Sequence, residues 1–70
     1  MPLVDITMAE GRSEESIRAL IAAVTDAVER TVAPRRETIR VIVREVSTDR
    51  WANGGVTLTE LRAQRDEAAR

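Results

Sequence analysis

Seventy residues make at most one small domain, and a lone chain of that size buries only about 60% of the surface its unfolded form exposes. With no Cys and no His, neither disulfides nor an ordinary zinc site can supply the missing stability, which leaves oligomerisation. A composition of 43% hydrophobic and 33% charged residues at net charge −1 is globular, and its single aromatic residue offers no stacking platform for a nucleic acid.

From Leu3 to Met8 the chain alternates, with Val4, Ile6 and Met8 on one face and Leu3, Asp5 and Thr7 on the other, which predicts a strand. Residues 9–12 (AEGR) form a loop with Gly11 at the turn. Ser13 is a good N-cap, and Glu14 and Glu15 suit the positive end of a helix dipole. Ile17, Leu20, Ile21, Val24, Val28 and Thr31 keep helical spacing, so an amphipathic helix is expected over about residues 14–32. Ala33 and Pro34 should end it, because the residue before a proline is pushed out of the helical region.

A second strand is expected over Ile39–Val46, β-branched and alternating. Ile39, Val41 and Val43 share one face; Arg40, Ile42, Arg44 and Val46 share the other. Residues 47–55 then form a loop carrying Trp51 and the Gly54-Gly55 pair, suited to a turn or short hairpin. In the tail, Thr57 and Glu60 match a capping box ahead of a possible short helix with Leu58 and Leu61.

Strand, crossover helix and strand predict an α/β fold: a single right-handed β-α-β unit with parallel strands, followed by a short C-terminal hairpin or helix. The chain then reads as one domain over 1–70, with a core over 2–55 and a tail over 56–70. Parallel strands are normally covered on both faces, so partner subunits are expected to complete the sheet. Leu3, Ile42 and Val46 make the face away from the helix mostly apolar. Arg40 and Arg44 interrupt it and require ion pairs or an anion there. No apolar run reaches bilayer length and the N-terminus shows no signal-peptide pattern, so a cytoplasmic location without a membrane partner is expected.

The missing side chains restrict the chemistry. All eleven basic residues are Arg, and Lys, His, Cys and Tyr are absent. A Ser or Thr nucleophile would have no imidazole or lysine amine to activate it. Carboxylates remain as bases, together with one amine, the N-terminal one. Pro2 directly follows Met1, and Met before so small a residue is commonly removed, which would leave a prolyl secondary amine at the start of a strand. Nearby cations and partial burial would lower its pKa toward neutrality, and Arg12 and Arg40 are the candidate cations.

Each of these residues also has a plain structural explanation. Pro tolerates the first position of an edge strand, and Arg12 could pair with Glu10 or Glu14. Trp51 suits a packing anchor as well as a site wall. Arg35, Arg36, Arg62 and Arg65 read as solvated charges, and Asp5 and Glu45 as strand charges paired at an interface.

Taken together, Pro2, the first strand, EGRS at 10–13, the amphipathic helix, Pro34, IRVIV around Arg40 and an aromatic followed by Gly54-Gly55 resemble the 4-oxalocrotonate tautomerase family over about residues 2–55. The resemblance implies a cofactor-independent isomerase of the cytoplasm that serves the catabolism of aromatic compounds. Its mature N-terminal Pro2 would be the catalytic base. Arg12 and Arg40 would bind the carboxylates and carbonyl oxygen of a small-molecule substrate, Arg40 also taking part in catalysis. Trp51 would line a hydrophobic wall. The site would combine residues from neighbouring subunits of a homohexamer, a trimer of dimers. The implied reaction is a 1,3-proton shift in an unsaturated 2-hydroxy or 2-keto acid.

The sequence departs from the family pattern at two places. Trp51 stands where the best-known members have Phe, and the tail after Gly55 is longer and more helical. Ala52 and Asn53 provide no carboxylate of the kind dehalogenase relatives use to activate water. Two alternatives stay open. One is hydration or addition through the same amine on a biosynthetic intermediate. The other is a non-catalytic subunit that partners an active paralogue.

Overall fold

The computed structural model describes residues 2–32 and 35–68. Met1 and the expected helix stop at Ala33-Pro34 lie outside the described residues. Strand β1 (Leu3–Ala9) leads through the loop into helix α1 (Glu14–Thr31), and a single 3-10 turn (Arg36–Thr38) precedes strand β2 (Arg40–Val46). The tail holds both of the elements between which the sequence left a choice: a two-residue-per-strand hairpin, β3 (Ala52–Asn53) and β4 (Val56–Thr57), and then helix α2 (Leu58–Ala68).

Period-2 alternation becomes a parallel ladder. β1 pairs with β2 in a register that sets Leu3 beside Arg40, Asp5 beside Ile42 and Thr7 beside Arg44. Val4, Ile6, Met8, Val41 and Val43 are half-buried on the helix side, whereas Leu3 and Ile42 on the opposite face are 60% and 40% exposed. Ser13 caps α1 as expected, its hydroxyl accepting from the Ser16 N–H at 3.1 Å, with Glu14 and Glu15 in the first turn. The helix lies against β2. Thr31, placed on the apolar stripe by spacing, is exposed and returns its hydroxyl to the Ala27 carbonyl at 2.7 Å.

Arg36 is more than a solvated charge. Its Nη1 binds Asp26 Oδ1 at 2.6 Å and Glu29 Oε1 at 3.1 Å, tying the turn before β2 to the last turns of α1. Hydrogen bonds to those two carboxylates hold the Arg36 guanidinium above its ordinary pKa. Glycine is required in the hairpin, where Gly54 and Gly55 sit at φ 60° and 81°, as a two-residue turn of type I′ demands. The Trp51 carbonyl accepts from Leu58 N–H at 2.8 Å, and the Thr57–Glu60 capping box closes reciprocally. Glu60 N–H donates to Thr57 Oγ1 at 3.1 Å, and Thr57 N–H donates to Glu60 Oε1 at 3.2 Å.

Among the described residues only Ile17 is buried, at 9% exposure. The radius of gyration is 16.2 Å, against about 11 Å for a compact domain of this length. The exposed surface of 5473 Å² likewise exceeds the roughly 4,400 Å² of a compact monomer of this mass. The principal extents are 50 × 23 × 18 Å; α1 covers one face of the sheet, the other is bare, and the hairpin with α2 forms an arm.

Thr57→Ala should lower the stability of α2 by about 1 kcal/mol, the scale of a lost N-cap. Hydrogen exchange of the α2 amides measures this directly, and amides in α1 should keep their protection.

Candidate active site

The ladder fixes which candidate residues share an end. The Pro2 carbonyl accepts from the Arg40 N–H at 3.0 Å, so the half-buried Pro2 adjoins Arg40 where the two strands begin. Alternation along the strands sets Pro2 on the helix side of the sheet and Arg40 on the bare face.

The two arginines of the bare face differ in their partners. Arg44 Nε binds Asp5 Oδ1 at 3.3 Å across the ladder, so Asp5, expected at an interface, is paired within its own chain because the register brings the two close. Arg40 Nη1 donates to the Glu37 carbonyl at 3.1 Å and has no carboxylate within ion-pair distance among the described residues. Of the two charges that require an anion on this face, Arg40 is the one still without it.

Arg12 and Trp51 lie at the opposite end. The seven steps from Pro2 to Ala9 span about 23 Å, so within one protomer Arg12 cannot serve as a cation beside Pro2. Arg12 forms none of the expected ion pairs with Glu10 or Glu14. It lines a cavity of 260 Å³ with Met8, Ala9, Glu10, Gly11 and Arg62, and an adjoining one of 300 Å³ with Met8, Ser16, Ile17 and Leu20. Trp51 is half-buried at the turn after β2 and lines neither cavity.

Arg62, read from the sequence as a solvated charge, also borders the first of these cavities. It is exposed, and nothing in its local pattern distinguishes it from Arg65. Only the folding back of the arm, through Leu58 N–H to Trp51 O and Thr59 N–H to Thr48 O at 3.3 Å, brings it to the loop after β1. No three metal-binding side chains converge among the described residues, and none of the described helices is long and apolar enough to cross a membrane.

Comparison with known proteins gives this geometry a context. The family model for the tautomerase enzymes matches residues 2–61. A protein of Staphylococcus epidermidis described as a probable tautomerase is 41% identical over 56 residues, covering 80% of this chain and 92% of its own. TomN, a 4-oxalocrotonate tautomerase homologue of the tomaymycin biosynthetic pathway, superposes with a TM-score of 0.84 at 42% identity, over 89% of this chain and 95% of its own. A heterohexamer 4-oxalocrotonate tautomerase from Chloroflexus aurantiacus superposes with a TM-score of 0.82 at 37% identity, over 89% of this chain and all of its own. With its β-α-β unit, its parallel strands and Pro2 at the head of the first, the chain belongs to the tautomerase family, among the homologues of 4-oxalocrotonate tautomerase.

Proposed function

We propose that this chain is a cofactor-independent keto–enol tautomerase in which the Pro2 amine, freed by removal of Met1, acts first as base and then as acid. The observation that carries this reading is the backbone pairing of Pro2 with Arg40 at the head of the parallel ladder, where the Arg40 guanidinium, on the bare face, has no carboxylate partner among the described residues. The amine is also the sole nitrogen base available to a chain without Lys or His.

The substrate class is an unsaturated 2-hydroxy or 2-keto acid. Neutral Pro2 takes the proton of the enol hydroxyl. The O–H electron pair closes the carbonyl, the double bonds shift, and the prolinium ion returns the proton to a more distant carbon. Arg40 stabilises charge on the developing carbonyl oxygen, and Arg12 binds a carboxylate in the two-pronged manner suited to guanidinium. Trp51 forms an apolar wall that keeps water out.

The length of β1, about 23 Å from Pro2 to Ala9, supports a site that takes Pro2 and Arg12 from different copies. The bare sheet face and the nearly coreless protomer support an obligate homo-oligomer, read as a hexamer of three dimers built from single-domain chains. The Chloroflexus aurantiacus relative is a heterohexamer, which favours pairing with a paralogue as the second reading. TomN belongs to a biosynthetic pathway, so the proposal names a reaction and a substrate class and no pathway.

Retaining Met1 turns the Pro2 nitrogen into a tertiary amide without a basic lone pair. Protein whose intact mass includes Met1 should fold and assemble yet be nearly inactive toward a dienol acid. In the processed protein, kcat/KM should rise with pH to a plateau as the amine loses its proton, with a midpoint below the reference α-amino range of about 7.7–8.0, since nearby guanidinium charge and desolvation both disfavour the cation. Full activity with Met1 in place would overturn the mechanism.

Arg40→Ala should cost about 2–4 kcal/mol in kcat/KM, the scale of a lost contact to a developing oxyanion. Arg35→Ala, which removes only an exposed ion pair to Glu37, should leave kinetics unchanged.

Complementation tests the composite site. Met1-retaining subunits and Arg12→Ala subunits, each nearly inactive alone, should regain activity when unfolded together and refolded as mixed assemblies. A site drawing Pro2 and Arg12 from one chain would stay inactive in every mixture.

A further inference from the structure

Helix α2, like any helix, begins with backbone N–H groups that have no partner inside it, and the turn after β2 takes up two of them. Leu58 N–H donates to the Trp51 carbonyl at 2.8 Å and Thr59 N–H to the Thr48 carbonyl at 3.3 Å, while Glu60 N–H goes to the cap residue, Thr57. The turn is closed on itself by Arg50 N–H to the Ser47 carbonyl at 2.9 Å and by Asp49 N–H to Ser47 Oγ at 3.2 Å. Residues 47–51 therefore sit across the head of α2 as one unit, with the half-buried Trp51 at its end.

One side chain of α2 joins that unit. Thr59 Oγ1 lies 2.7 Å from Thr48 Oγ1 and donates to Asp49 Oδ1, also at 2.7 Å. A hydroxyl has a single proton and an ionised carboxylate only accepts, so the direction of the chain follows. The Thr59 proton goes to Asp49, and the Thr48 hydroxyl donates to Thr59. Both distances are those of well-formed O–H···O bonds, and bonds in such a chain polarise one another. With the bond from its own N–H to the Thr48 carbonyl, Thr59 holds the turn at three points. Helix amides point along the helix axis, whereas a side chain leaves the helix at an angle to it. The hydroxyl bonds therefore restrain a rotation of the turn that the amide bonds permit.

We propose that Thr59 is a positioning residue for the tautomerase reaction: its hydroxyl fixes the turn that carries Trp51 and so holds the indole in place as a wall of the substrate site. The proposal deepens the tautomerase reading and rests on it for the role of the wall. It also gives the start of α2 a task, since the helix supplies both the hydroxyl and the two amides that hold the turn. An apolar wall touches the carbon chain of the substrate alike before and during proton transfer. Loosening it removes uniform binding and falls on KM more than on kcat.

Trp51 is the sole tryptophan, so the decay of its fluorescence anisotropy in the assembled, Met1-free protein reports on this turn without turnover. Thr59→Val keeps the branched shape and the helix propensity of threonine and removes the hydroxyl. It should let the indole move more freely on the nanosecond scale and raise KM for a dienol acid about fivefold, the scale of a lost hydrogen bond. Thr59→Ser, which keeps the hydroxyl, should restore both. Thr57→Ala weakens α2 at its cap without touching these bonds, and should leave the anisotropy and KM as they are in the unchanged protein. Circular dichroism and light scattering establish that each variant folds and assembles.

An unchanged anisotropy decay in Thr59→Val would overturn the proposal. So would equal effects in Thr57→Ala, which would mean that helix stability alone is at work, or a Thr59→Ser protein that behaves as Thr59→Val does, which would mean that the hydroxyl is not the group that matters. A freed indole with KM unmoved would overturn it too, because Trp51 would then be no wall. The two measurements separate this failure from failure of the tautomerase reading. If Thr59→Val frees the indole but the unchanged protein ketonises no dienol acid, the hold on Trp51 stands and the tautomerase reading falls. If the unchanged protein ketonises dienol acids and Thr59→Val alters neither KM nor the anisotropy, the reading stands and the role of Thr59 falls.

Discussion

A parallel two-strand ladder with its one long helix on a single face leaves the other face to be covered from outside the chain, and most of what this protein does follows from that constraint. The register of β1 against β2 decides which side chains share the bare face: Leu3 beside Arg40, Asp5 beside Ile42, Thr7 beside Arg44. Exposure of Leu3 and Ile42 to water is unfavourable by an amount that grows with their apolar area, and a second sheet face removes it. With one buried residue among those described, the protomer has little of its own to hold it compact. Association therefore contributes to the stability of the fold itself.

The charges of that face separate structural from chemical roles. Arg44 and Asp5 face each other across the ladder and satisfy one another, an exposed pair whose contribution to stability is small. Arg36 ties the turn before β2 to α1 and so fixes where Arg40 begins the strand. Arg40 itself is held by a backbone carbonyl and has its charge unanswered. A guanidinium cannot lose its proton at physiological pH, so covering that face without an anion for Arg40 would be costly.

The tail extends the same logic to the other end of the strands. A hairpin closed by two glycines reverses the chain, the capping box starts α2, and the helix carries Arg62 back to the loop that holds Arg12. The tautomerase family model ends at residue 61, inside α2. Just beyond that span stands Arg62, which borders the 260 Å³ cavity with Arg12 and Glu10.

Local periodicity was enough to read most of the fold from the sequence. Alternation of Val4, Ile6 and Met8, helical spacing from Ile17 to Val28, the Ser13 cap and the Thr57–Glu60 box each depend on residues a few positions apart, and each has its expected counterpart in the structure. The absence of Lys and His narrowed the nitrogen bases to one amine without any coordinates. Tertiary structure decided the rest, because it depends on residues far apart in the chain. The pairing of Asp5 with Arg44 rather than with a partner, the separation of Pro2 from Arg12 by the length of a strand, and the meeting of Arg12 with Arg62 all follow from strand register and chain reversal. No local pattern encodes them: a charge on a strand or helix looks the same in sequence whether the chain brings a carboxylate, a second arginine or only water to face it.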